Sequence, residues 1–315
     1  MRVVVTGGAG FIGANLASAL VDDPRVTEVR VVDDLSSGSR DNLDGLDVAF
    51  HEGTINDADL LDAAFDGVEA VVHLAARPSV PRSIEDPMAS HVANATGTLN
   101  VLEAARRAGN PHVLLASSSS VYGANPTLPK SEDLRTEPLS PYAVSKLATE
   151  QYALAYGHCF DLPVLPFRFF NVFGPLQAAG HAYAAVIPAF LDAALKGEPI
   201  PIHGDGEQSR DFTYVGSVVK AIATAIERRI TSPVPVNLAF GTRQTLLEAI
   251  EELERQVGRP LERAHQDPRA GDVRHSQADG TRLRTLLPDL EPVPFEEGLA
   301  DTLAWFRTLE TYRAA

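Results

Sequence analysis

The sequence is poor in the features that mark secreted and membrane-inserted proteins. It has a single cysteine, Cys159, among 315 residues, so an intrachain disulfide is excluded, and we expect this side chain to be a small buried hydrophobe. No apolar run is long enough to span a bilayer. The chain starts with a strand pattern, Arg2 to Thr6, which does not resemble a signal peptide. We therefore expect a cytoplasmic protein with no membrane partner.

Positive charge is also scarce. The sequence has 27 lysines and arginines against 42 aspartates and glutamates, which gives a net charge of -15 at pH 7. This balance argues against nucleic acid or an anionic membrane as the main partner, and we interpret it as a contribution to solubility. A substrate that carries phosphates would therefore need a local basic pocket.

Short apolar runs alternate with helical patterns in the first half of the chain. With 44% hydrophobic residues, the chain is able to bury a large core in one big domain or two lobes. β-Branched runs flanked by helices predict a parallel sheet covered on both faces. Strands are predicted at 3–6, 29–33, 48–51, 70–74, 112–117 and 162–170, and helices at about 11–21, 57–65, 84–108 and 141–156.

The predicted fold class is α/β: a doubly wound parallel sheet of the Rossmann type with a smaller C-terminal α/β lobe. After Asn171, glycine and proline become frequent and short elements replace the regular alternation. The segment 211–240 is expected to return to the sheet with one helix and one strand. We therefore assign residues 1–172 with 210–240 to the sheet domain, and residues 173–209 with 241–315 to the smaller lobe.

Three glycines follow the first predicted strand at a spacing of three residues: Gly7, Gly10 and Gly13. A tight turn, the close approach of backbone to a pyrophosphate and the packing of helix on strand each require a residue without a side chain. Asp33 ends the second strand about 20 residues further on, where an acid accepts hydrogen bonds from an adenosine ribose. Because an acid repels a 2′-phosphate, NAD is favoured. We interpret Asp34 as a turn residue.

A tyrosine and a lysine lie four residues apart in Tyr142-Ala-Val-Ser-Lys146, on one face of a helix that begins near Pro141. The ammonium is expected to stabilise the phenolate, so that Tyr142 acts as a base nearer neutral pH than its usual pKa of about 10 allows. The fifth strand ends in a run of four serines, residues 117–120. Ligands bind beyond the carboxyl ends of parallel strands, so one of these hydroxyls is expected to contact the substrate oxygen.

Six segments make the chain similar to the extended short-chain dehydrogenases/reductases, in the NAD-dependent sugar epimerase/dehydratase family. The resemblance covers nearly the whole chain. The segments are Thr6-Gly-Gly-Ala-Gly-Phe-Ile-Gly13, His73-Leu-Ala-Ala76, Ser118-Ser-Ser-Val-Tyr-Gly123, Tyr142-Ala-Val-Ser-Lys146, Arg168-Phe-Phe-Asn-Val-Phe-Gly-Pro175 and Gly204-Asp-Gly-Glu-Gln-Ser-Arg-Asp-Phe-Thr-Tyr214.

The resemblance implies a role for each matching residue. Ser118 matches the catalytic hydroxyl, Tyr142 the base, and Lys146 the lysine that holds the nicotinamide ribose and tunes the tyrosine. NAD is implied as a prosthetic group in the sheet domain, contacted by Gly7, Gly10, Phe11, Ile12, Gly13, Asp33, Ser37, Thr54, Ile55, Leu74, Ala75, Ala76 and Lys146. A UDP-sugar is implied as the substrate in the smaller lobe, contacted by Ser118, Ser119, Tyr142, Asn171, Val186, His203, Arg210, Arg274 and Ser276.

Within the family, the chain most resembles bacterial UDP-hexose 4-epimerases, especially those that act on N-acetylated sugars. Residues 77–84, 182–188 and 271–276 carry this resemblance. Ser276 matches a position on the pocket wall near the 2-substituent of the sugar, where its small size leaves room for an acetamido group. Asn171, Arg210 and Arg274 match positions that grip the diphosphate, which suits the fork of arginine. Thr54 departs from the family, which often has an aspartate there to contact adenine.

The resemblance implies NAD-dependent 4-epimerisation of a UDP-hexose through a 4-keto intermediate. The expected pair is UDP-N-acetylglucosamine and UDP-N-acetylgalactosamine, or UDP-glucose and UDP-galactose. The alternative is a UDP-glucuronate 4-epimerase, which needs only a carboxylate contact in the segment 176–183, where no pattern is recognisable. Dehydratases and decarboxylases are less favoured, because they carry acids where this chain has Ser119 and Ser120. A non-catalytic nucleotide sensor is less favoured because the Tyr142–Lys146 pair is retained.

The helices near 84–108 and 141–156 have broad apolar faces. By resemblance, they form a four-helix contact between the subunits of a homodimer. His73, His203 and His275 are scattered along the chain, so no metal site is expected. By resemblance, His203 lines the uracil pocket. We expect the lone Trp305 to be a packing residue.

Overall fold

A parallel sheet lies at the centre of the protein. The structure is a computed structural model, which describes residues 1–179, 185–267 and 274–312. The strands, in chain order, are β1 (Arg2–Thr6), β2 (Glu28–Asp33), β3 (Ala49–Glu52), β4 (Ala70–His73), β5 (His112–Ser118), β6 (Val164–Phe169), β7 (Val172–Phe173), β8 (Ile200–His203), β9 (Ser209–Arg210), β10 (Thr213–Tyr214), β11 (Val236–Leu238), β12 (Gln244–Thr245) and β13 (Arg263–Gln266). The central sheet has seven strands in the order β11-β6-β5-β4-β1-β2-β3. The order reverses between β1 and β4, which creates the crevice where doubly wound sheets bind nucleotides. The predicted fold class is confirmed, and the first five strands are confirmed to within one residue.

Helices cover both faces of the sheet. They are α1 (Phe11–Val21), α2 (Ala58–Phe65), α3 (Val80–Glu85), α4 (Pro87–His91), α5 (Gly97–Arg107), α6 (Pro141–Phe160), α7 (Val186–Lys196), α8 (Val215–Glu227), α9 (Leu246–Val257), α10 (Thr281–Leu286) and α11 (Phe295–Thr308). Val3 and Val5 of β1 pack on the face covered by α1 and α8, whereas Val4 packs on the face covered by α2, α5 and α6. Because both faces are buried, the strands have continuous runs of β-branched residues instead of an apolar–polar alternation.

The prediction of one helix over 84–108 is wrong. The segment contains the end of α3, then α4, a π-helical turn at Val92–Thr96, and α5. Pro87 has no N–H with which to continue the hydrogen bonding of α3, and the Asp86 carboxylate caps α4 by accepting from the backbone N–H of Ala89 at 3.0 Å. The helix predicted at 141–156 is confirmed and continues to Phe160, after which Asp161 takes a left-handed conformation.

The smaller lobe has its own apolar cluster. Helices α7, α9 and α11 pack there with β8, which pairs in parallel with β13. The return of 211–240 to the sheet is confirmed, since α8 is followed by β11, which pairs with β6. Leu283 of α10 and Leu287, which directly follows that helix, pack in the apolar cluster of the sheet. We propose the two-lobe division predicted above, with α10 attached to the sheet domain.

Two side-chain expectations have different outcomes. Cys159, which was expected to be buried, is exposed because it lies on the outer face of the last turn of α6. Trp305 packs edge-on against Phe306 of the smaller lobe, at 5.1 Å between ring centroids, as expected of a packing residue. Among the described residues, no helix is both long and apolar enough to cross a membrane.

His112, the first residue of β5, is expected to make the protein acid-sensitive. Its Nε2–H donates to the carbonyl of Ile230 at 2.8 Å, and Nδ1 has no partner in the described part of the chain. Burial lowers the pKa of His112 to about 4, so the unfolded chain binds a proton first as pH falls. The contribution of the neutral ring to stability is therefore present above pH ~6.5 and is lost between pH ~6.5 and 4.

The test compares the free energy of unfolding of the wild type and His112→Gln in urea at pH 7 and pH 5. Glutamine keeps a donor for Ile230 and does not titrate. We expect the advantage of the wild type over the variant to be about 2 kcal/mol smaller at pH 5 than at pH 7. A difference that stays the same at both pH values would contradict the assignment. Other titrating groups cancel, because both proteins contain them.

Candidate active site

The glycine turn between β1 and α1 leaves no room for side chains. Gly7 has φ +72°, and a Cβ there would lie 2.6 Å from the backbone nitrogen of Ala75. A Cβ on Gly13 would lie 2.2 Å from the carbonyl oxygen of Gly7. Gly10 precedes α1, and no side chain described by the structure caps that helix. The first N–H groups of α1 therefore remain available to a pyrophosphate, as NAD binding requires.

Asp33 lies beside the glycine turn. Its carboxylate accepts from the backbone N–H groups of Ala9 and Leu35, each at 2.9 Å. Burial raises the pKa of Asp33, and these two hydrogen bonds oppose the rise. Asp34 accepts from the N–H of Ser36, as expected of a turn residue. The carboxylate of Asp33 is thus fixed at the end of β2, where a ribose would lie.

The other predicted cofactor residues also lie at the carboxyl edge of the sheet. Phe11 and Ile12 form the first turn of α1, Thr54 and Ile55 follow β3, and the segment 74–76 follows β4. Ile55 is buried, whereas Thr54 and Ser37 are exposed. The segment after β4 is tied to β1 by a hydrogen bond from the N–H of Leu74 to the carbonyl of Thr6, at 3.0 Å.

Ser118 and Tyr142 meet at the end of β5. Ser118 is the last residue of that strand. Its Oγ accepts two hydrogen bonds from Ser120, one from the backbone N–H at 3.2 Å and one from the hydroxyl at 2.9 Å. Tyr142 is the second residue of α6, which begins at Pro141 and is capped by Ser140. The side chain of Ser118 faces the hydroxyl of Tyr142 and favours its ionised form. The structure therefore selects Ser118 among the four serines.

The pKa of Tyr142 differs from the expectation. Burial raises it, and the hydrogen bond with Ser118 opposes the rise. Burial lowers the pKa of Lys146 to about 8, and Glu150 opposes that change. The loss of hydration acts on both groups and outweighs the stabilisation of the phenolate that was expected from the lysine.

A series of buried hydrogen bonds connects the end of β1, next to the glycine turn, to α5. Thr98 Oγ1 donates to the carbonyl of Asn94 at 2.5 Å, so it accepts from His73 Nε2–H at 3.0 Å. His73 Nδ1 then accepts from the hydroxyl of Thr6 at 2.7 Å. The ring is neutral in this arrangement, and burial lowers the pKa of His73 to about 3. Sequence patterns do not indicate this role, because the histidine and the two threonines are far apart along the chain.

Asn94, which accepts the last of these hydrogen bonds, is a second residue that sequence reasoning missed. It lies in the π-helical turn, and its side-chain amide donates to Ser145 Oγ at 2.9 Å and accepts from the N–H of Arg77 at 2.7 Å. It thereby joins the loop after β4 to the turn of α6 that contains Lys146. A polar residue within a predicted apolar helix is the only signal that the sequence offered.

The predicted substrate arginines lie around β9. Arg210 is buried, and its guanidinium donates to the carbonyls of Ser209 at 2.9 Å and Arg274 at 3.2 Å. Arg274 is exposed and forms an ion pair with Asp205 at 2.8 Å. Ser276 is half-buried, and its N–H donates to the carbonyl of Ser209 at 3.0 Å. Arg210, Arg274 and Ser276 therefore lie close to one another beside β9.

The remaining predicted substrate residues lie on separate elements. Asn171 has φ +33°, and its side chain donates to the carbonyl of Asp211 at 3.2 Å. Val186 begins α7, and His203 ends β8, where its Nδ1–H donates to the carbonyl of Asp267 at 3.1 Å. Ser119 follows Ser118 in a 3₁₀ turn. The parts of the segments 182–188 and 271–276 before Ala185 and Arg274 lie outside the described residues.

Asp211 and Arg243 were not predicted. Asp211 is fully buried and accepts from the N–H groups of Ala278 at 2.9 Å and Gly241 at 3.1 Å, which ties two loops to the residue after Arg210. Burial raises the pKa of Asp211 to about 7. The side chain of Arg243 donates to Ser209 Oγ at 2.7 Å. Asp211 belongs to the Arg210-Asp-Phe segment that resembles the family, so the sequence did point to it. Arg243 is brought next to β9 only by the pairing of β12 with β9.

The fold and site define a class. An uncapped glycine turn, an acid at the end of β2, and a serine and a tyrosine on the switch-point side of a parallel sheet are the features of an NAD-dependent short-chain dehydrogenase/reductase. Within the described residues, no cluster of three or more histidine, cysteine, aspartate or glutamate side chains is placed to hold a metal ion.

The family is shown by comparison with known proteins. The sequence model described as the NAD dependent epimerase/dehydratase family matches residues 3–239. The chain belongs to this family and is an NAD-dependent enzyme of the extended short-chain dehydrogenase/reductase type. It is 39% identical to a UDP-glucose 4-epimerase of Mycolicibacterium smegmatis, over 98% of this chain and 99% of that protein.

Solved structures agree with the family. One is a UDP-N-acetylglucosamine 4-epimerase from Methanobrevibacter ruminantium in complex with UDP-N-acetylmuramic acid, at 37% identity and a TM-score of 0.92, over 98% of each chain. Another is a UDP-glucuronic acid 4-epimerase from Bacillus cereus in complex with UDP-glucuronic acid and NAD. It matches at 28% identity and a TM-score of 0.88, over 98% of this chain and 99% of that one. These relatives act on the same class of nucleotide sugar and differ in the hexose.

Proposed function

We propose that this enzyme interconverts the 4-epimers of a UDP-hexose through a 4-keto intermediate. The observation that carries the proposal is that Ser118, at the end of β5, faces Tyr142 on α6, and that the next turn of α6 contains the buried Lys146. A sugar hydroxyl placed beside Ser118 and Tyr142 would lose its proton to the phenolate form of Tyr142, directly or through Ser118. Bound NAD⁺ would supply the hydride acceptor, and the reduced form would return the hydride to the opposite face of the sugar.

Residues of both lobes are proposed to contact the substrate. In the proposal, Asn171, Arg210 and Arg274 hold the diphosphate, and Val186 and His203 contact the uridine. Arg210 is already positioned by two backbone carbonyls, whereas the ion pair of Arg274 with the exposed Asp205 can exchange for a phosphate. A firmly held diphosphate and a loosely held hexose allow the keto sugar to turn over before the hydride returns.

The proposed substrate pair is UDP-N-acetylglucosamine and UDP-N-acetylgalactosamine, or UDP-glucose and UDP-galactose. Support comes from Ser276, whose small side chain stands beside the arginines, and from the relatives that act on these sugars. The alternative is UDP-glucuronate, supported by the Bacillus cereus neighbour. Ser119 and Ser120 follow the catalytic serine and have no carboxyl group for the elimination of water, which disfavours a dehydratase.

The test incubates purified protein, without added NAD, with each of the three UDP-sugars in separate tubes, and follows the anomeric signals by proton NMR. We expect a 4-epimer to appear without added cofactor. Ser276→Tyr should slow the acetamido sugar far more than the neutral hexose, so the neutral hexose serves as the internal control. If no tube changes even after NAD is added, the UDP-hexose 4-epimerase proposal is wrong.

We also propose a homodimer. Apolar side chains are exposed along α3, α4 and the π-helical turn, and others along and just before α6; they are Ile84, Met88, Val92, Leu139, Val144 and Tyr152. Adjacent exposed apolar side chains of this size are typical of an interface between subunits. Both segments were predicted as the subunit contact from the resemblance.

The dimer is tested by Met88→Lys, which places a charge where the side chain is 69% exposed. We expect the wild type to scatter light as a dimer and the variant as a monomer, because burying an unpaired ammonium opposes association. The control is Val234→Lys, which makes a similar change at an exposed apolar residue outside the two segments. A monomeric wild type would overturn the proposal.

A further inference from the structure

A buried ion pair lies one helical turn beyond Lys146. Arg168 of β6 donates to both carboxylate oxygens of Glu150, from Nη2 at 2.7 Å and from Nε at 3.0 Å. The side chain of Glu150 is 0% exposed and that of Arg168 is 3% exposed. The activity proposed above does not use either residue directly.

The pair joins three elements that carry the site. The hydroxyl of Ser117, the neighbour of Ser118, lies 2.8 Å from a carboxylate oxygen of Glu150 and 3.2 Å from the backbone carbonyl of Lys146, and its single proton is shared between these two acceptors. The guanidinium of Arg168 also lies over the ring of Tyr122, 4.7 Å from its centroid, in the 3₁₀ turn that follows Ser118. The end of β5, the catalytic face of α6 and β6 are therefore fixed to one another at this point.

Stability alone does not account for such a pair. Taking two charges out of water costs several kcal/mol for each ion, and well-packed apolar replacements of a buried pair are often as stable or more stable. The loss of one partner is costly, however, because it leaves the other charge buried without compensation. The carboxylate and the guanidinium thus provide something that apolar side chains of the same volume do not.

We propose that Glu150 and Arg168 are positioning residues for the Ser118–Tyr142–Lys146 site, and that the Glu150 carboxylate holds the Lys146 ammonium in its charged form. This inference rests on the proposed 4-epimerase function for its kinetic part. The pair adds a charged contact between α6 and β6 to the hydrogen bond of the Ser117 hydroxyl with α6.

The charged and titratable groups near Lys146 lie on α6 itself and on β4 and β6. Glu150 on α6 is the group that raises the pKa of Lys146 against the lowering by burial. His73 on β4 is neutral, and its pKa is itself lowered by the lysine. Tyr142 lies one turn earlier on α6, and Arg168 on β6 is paired with Glu150. Replacement of Glu150 by an uncharged residue therefore removes the carboxylate that favours the charged form of Lys146.

The test uses Glu150→Gln, the double variant Glu150→Met with Arg168→Leu, and the control Glu103→Gln. Glu103 anchors the same helix elsewhere, because it accepts from the hydroxyl of Tyr156 at 2.6 Å. The chain has four lysines, so lysines labelled with ¹³C at the ε position give four NMR signals, and that of Lys146 is identified by its absence in Lys146→Arg. This titration needs no sugar.

We expect Lys146 to titrate lower in both Glu150 variants than in the wild type, by about one pH unit, and to be unchanged in the control. We also expect kcat to fall by about 10²-fold with KM nearly unchanged. The alkaline limb of kcat should move to lower pH in parallel. The double variant should recover stability without recovering kcat or the titration of Lys146.

A double variant with the wild-type titration and kcat would overturn the proposal, because the pair would then be structural only. If the Glu150 variants do not fold, the test uses Ser117→Ala, which keeps the ion pair and removes the hydroxyl that links the end of β5 to Glu150 and to the backbone of Lys146. It should lower kcat with KM unchanged, and a wild-type kcat would overturn the positioning role. If the wild type converts no UDP-hexose, the proposed function fails, whereas the NMR titration still decides the role of Glu150.

Discussion

Replacement of Tyr142 by phenylalanine is expected to lower kcat by about 10²- to 10⁴-fold, the range for loss of a general acid–base group. Phenylalanine keeps the ring of Tyr142 in its half-buried place on α6 and removes the hydroxyl that faces Ser118. Ser118 alone does not replace it, because an aliphatic hydroxyl is a far weaker acid than a phenol and is a poor proton carrier near neutral pH. The affinity for the UDP-sugar should be unchanged, as measured by calorimetry on the same preparation.

The matched control is Tyr152→Phe, on the same helix. Tyr152 is 40% exposed and lies among the apolar residues of the proposed dimer contact. Its replacement should leave kcat unchanged. Near-normal turnover by the Tyr142 variant would show that the base has been assigned to the wrong residue.

Gly13→Ala is expected to remove bound NAD and, with it, the activity. The new Cβ would lie 2.2 Å from the carbonyl oxygen of Gly7 and 2.6 Å from the Cα of Gly8. Both are backbone atoms, so the first turn of α1 must move away from β1. A displacement of about 1 Å at a binding site is enough to reduce a rate by about 10²-fold, and here the phosphate-binding N–H groups themselves are displaced.

The measurement is the amount of NAD released when the purified protein is denatured, together with the activity with and without added NAD. Gly109→Ala is the control for strain: its Cβ meets nothing within 4 Å, but φ is +91°. The control should lose about 1–2 kcal/mol of stability and keep its NAD. A full complement of NAD in the Gly13 variant would contradict the role of the turn.

Much of the sheet domain was predictable because its signals are local. A strand buried on both faces is a continuous β-branched run, as in Arg2–Thr6, and this pattern does not depend on the rest of the fold. The glycine turn was readable because the requirement for no side chain is met within seven residues. Tyr142 and Lys146 were readable because four residues on a helix bring two side chains to one face.

Other features were out of reach because they depend on contacts between distant residues. The helix break at Pro87 is an exception, because the proline itself is a local signal. The apolar pattern that continues on both sides of it nevertheless predicted one helix. The selection of Ser118 among four serines needed the position of Tyr142. The direction of the pKa shift of Tyr142 depends on how deeply the group is buried, which spacing along a helix does not reveal.

The sequence by itself determined the α/β fold, the position of the cofactor turn and the identity of the tyrosine and lysine, since each follows from spacing within one element. Only the tertiary structure decided which hydroxyl meets Tyr142, that His73 is a neutral link between Thr6 and Thr98, and that Glu150 and Arg168 lie beneath the site. These contacts join residues 18 to 67 positions apart in the chain. Burial makes such pairings necessary, because a polar group removed from water must find a partner wherever the fold brings one.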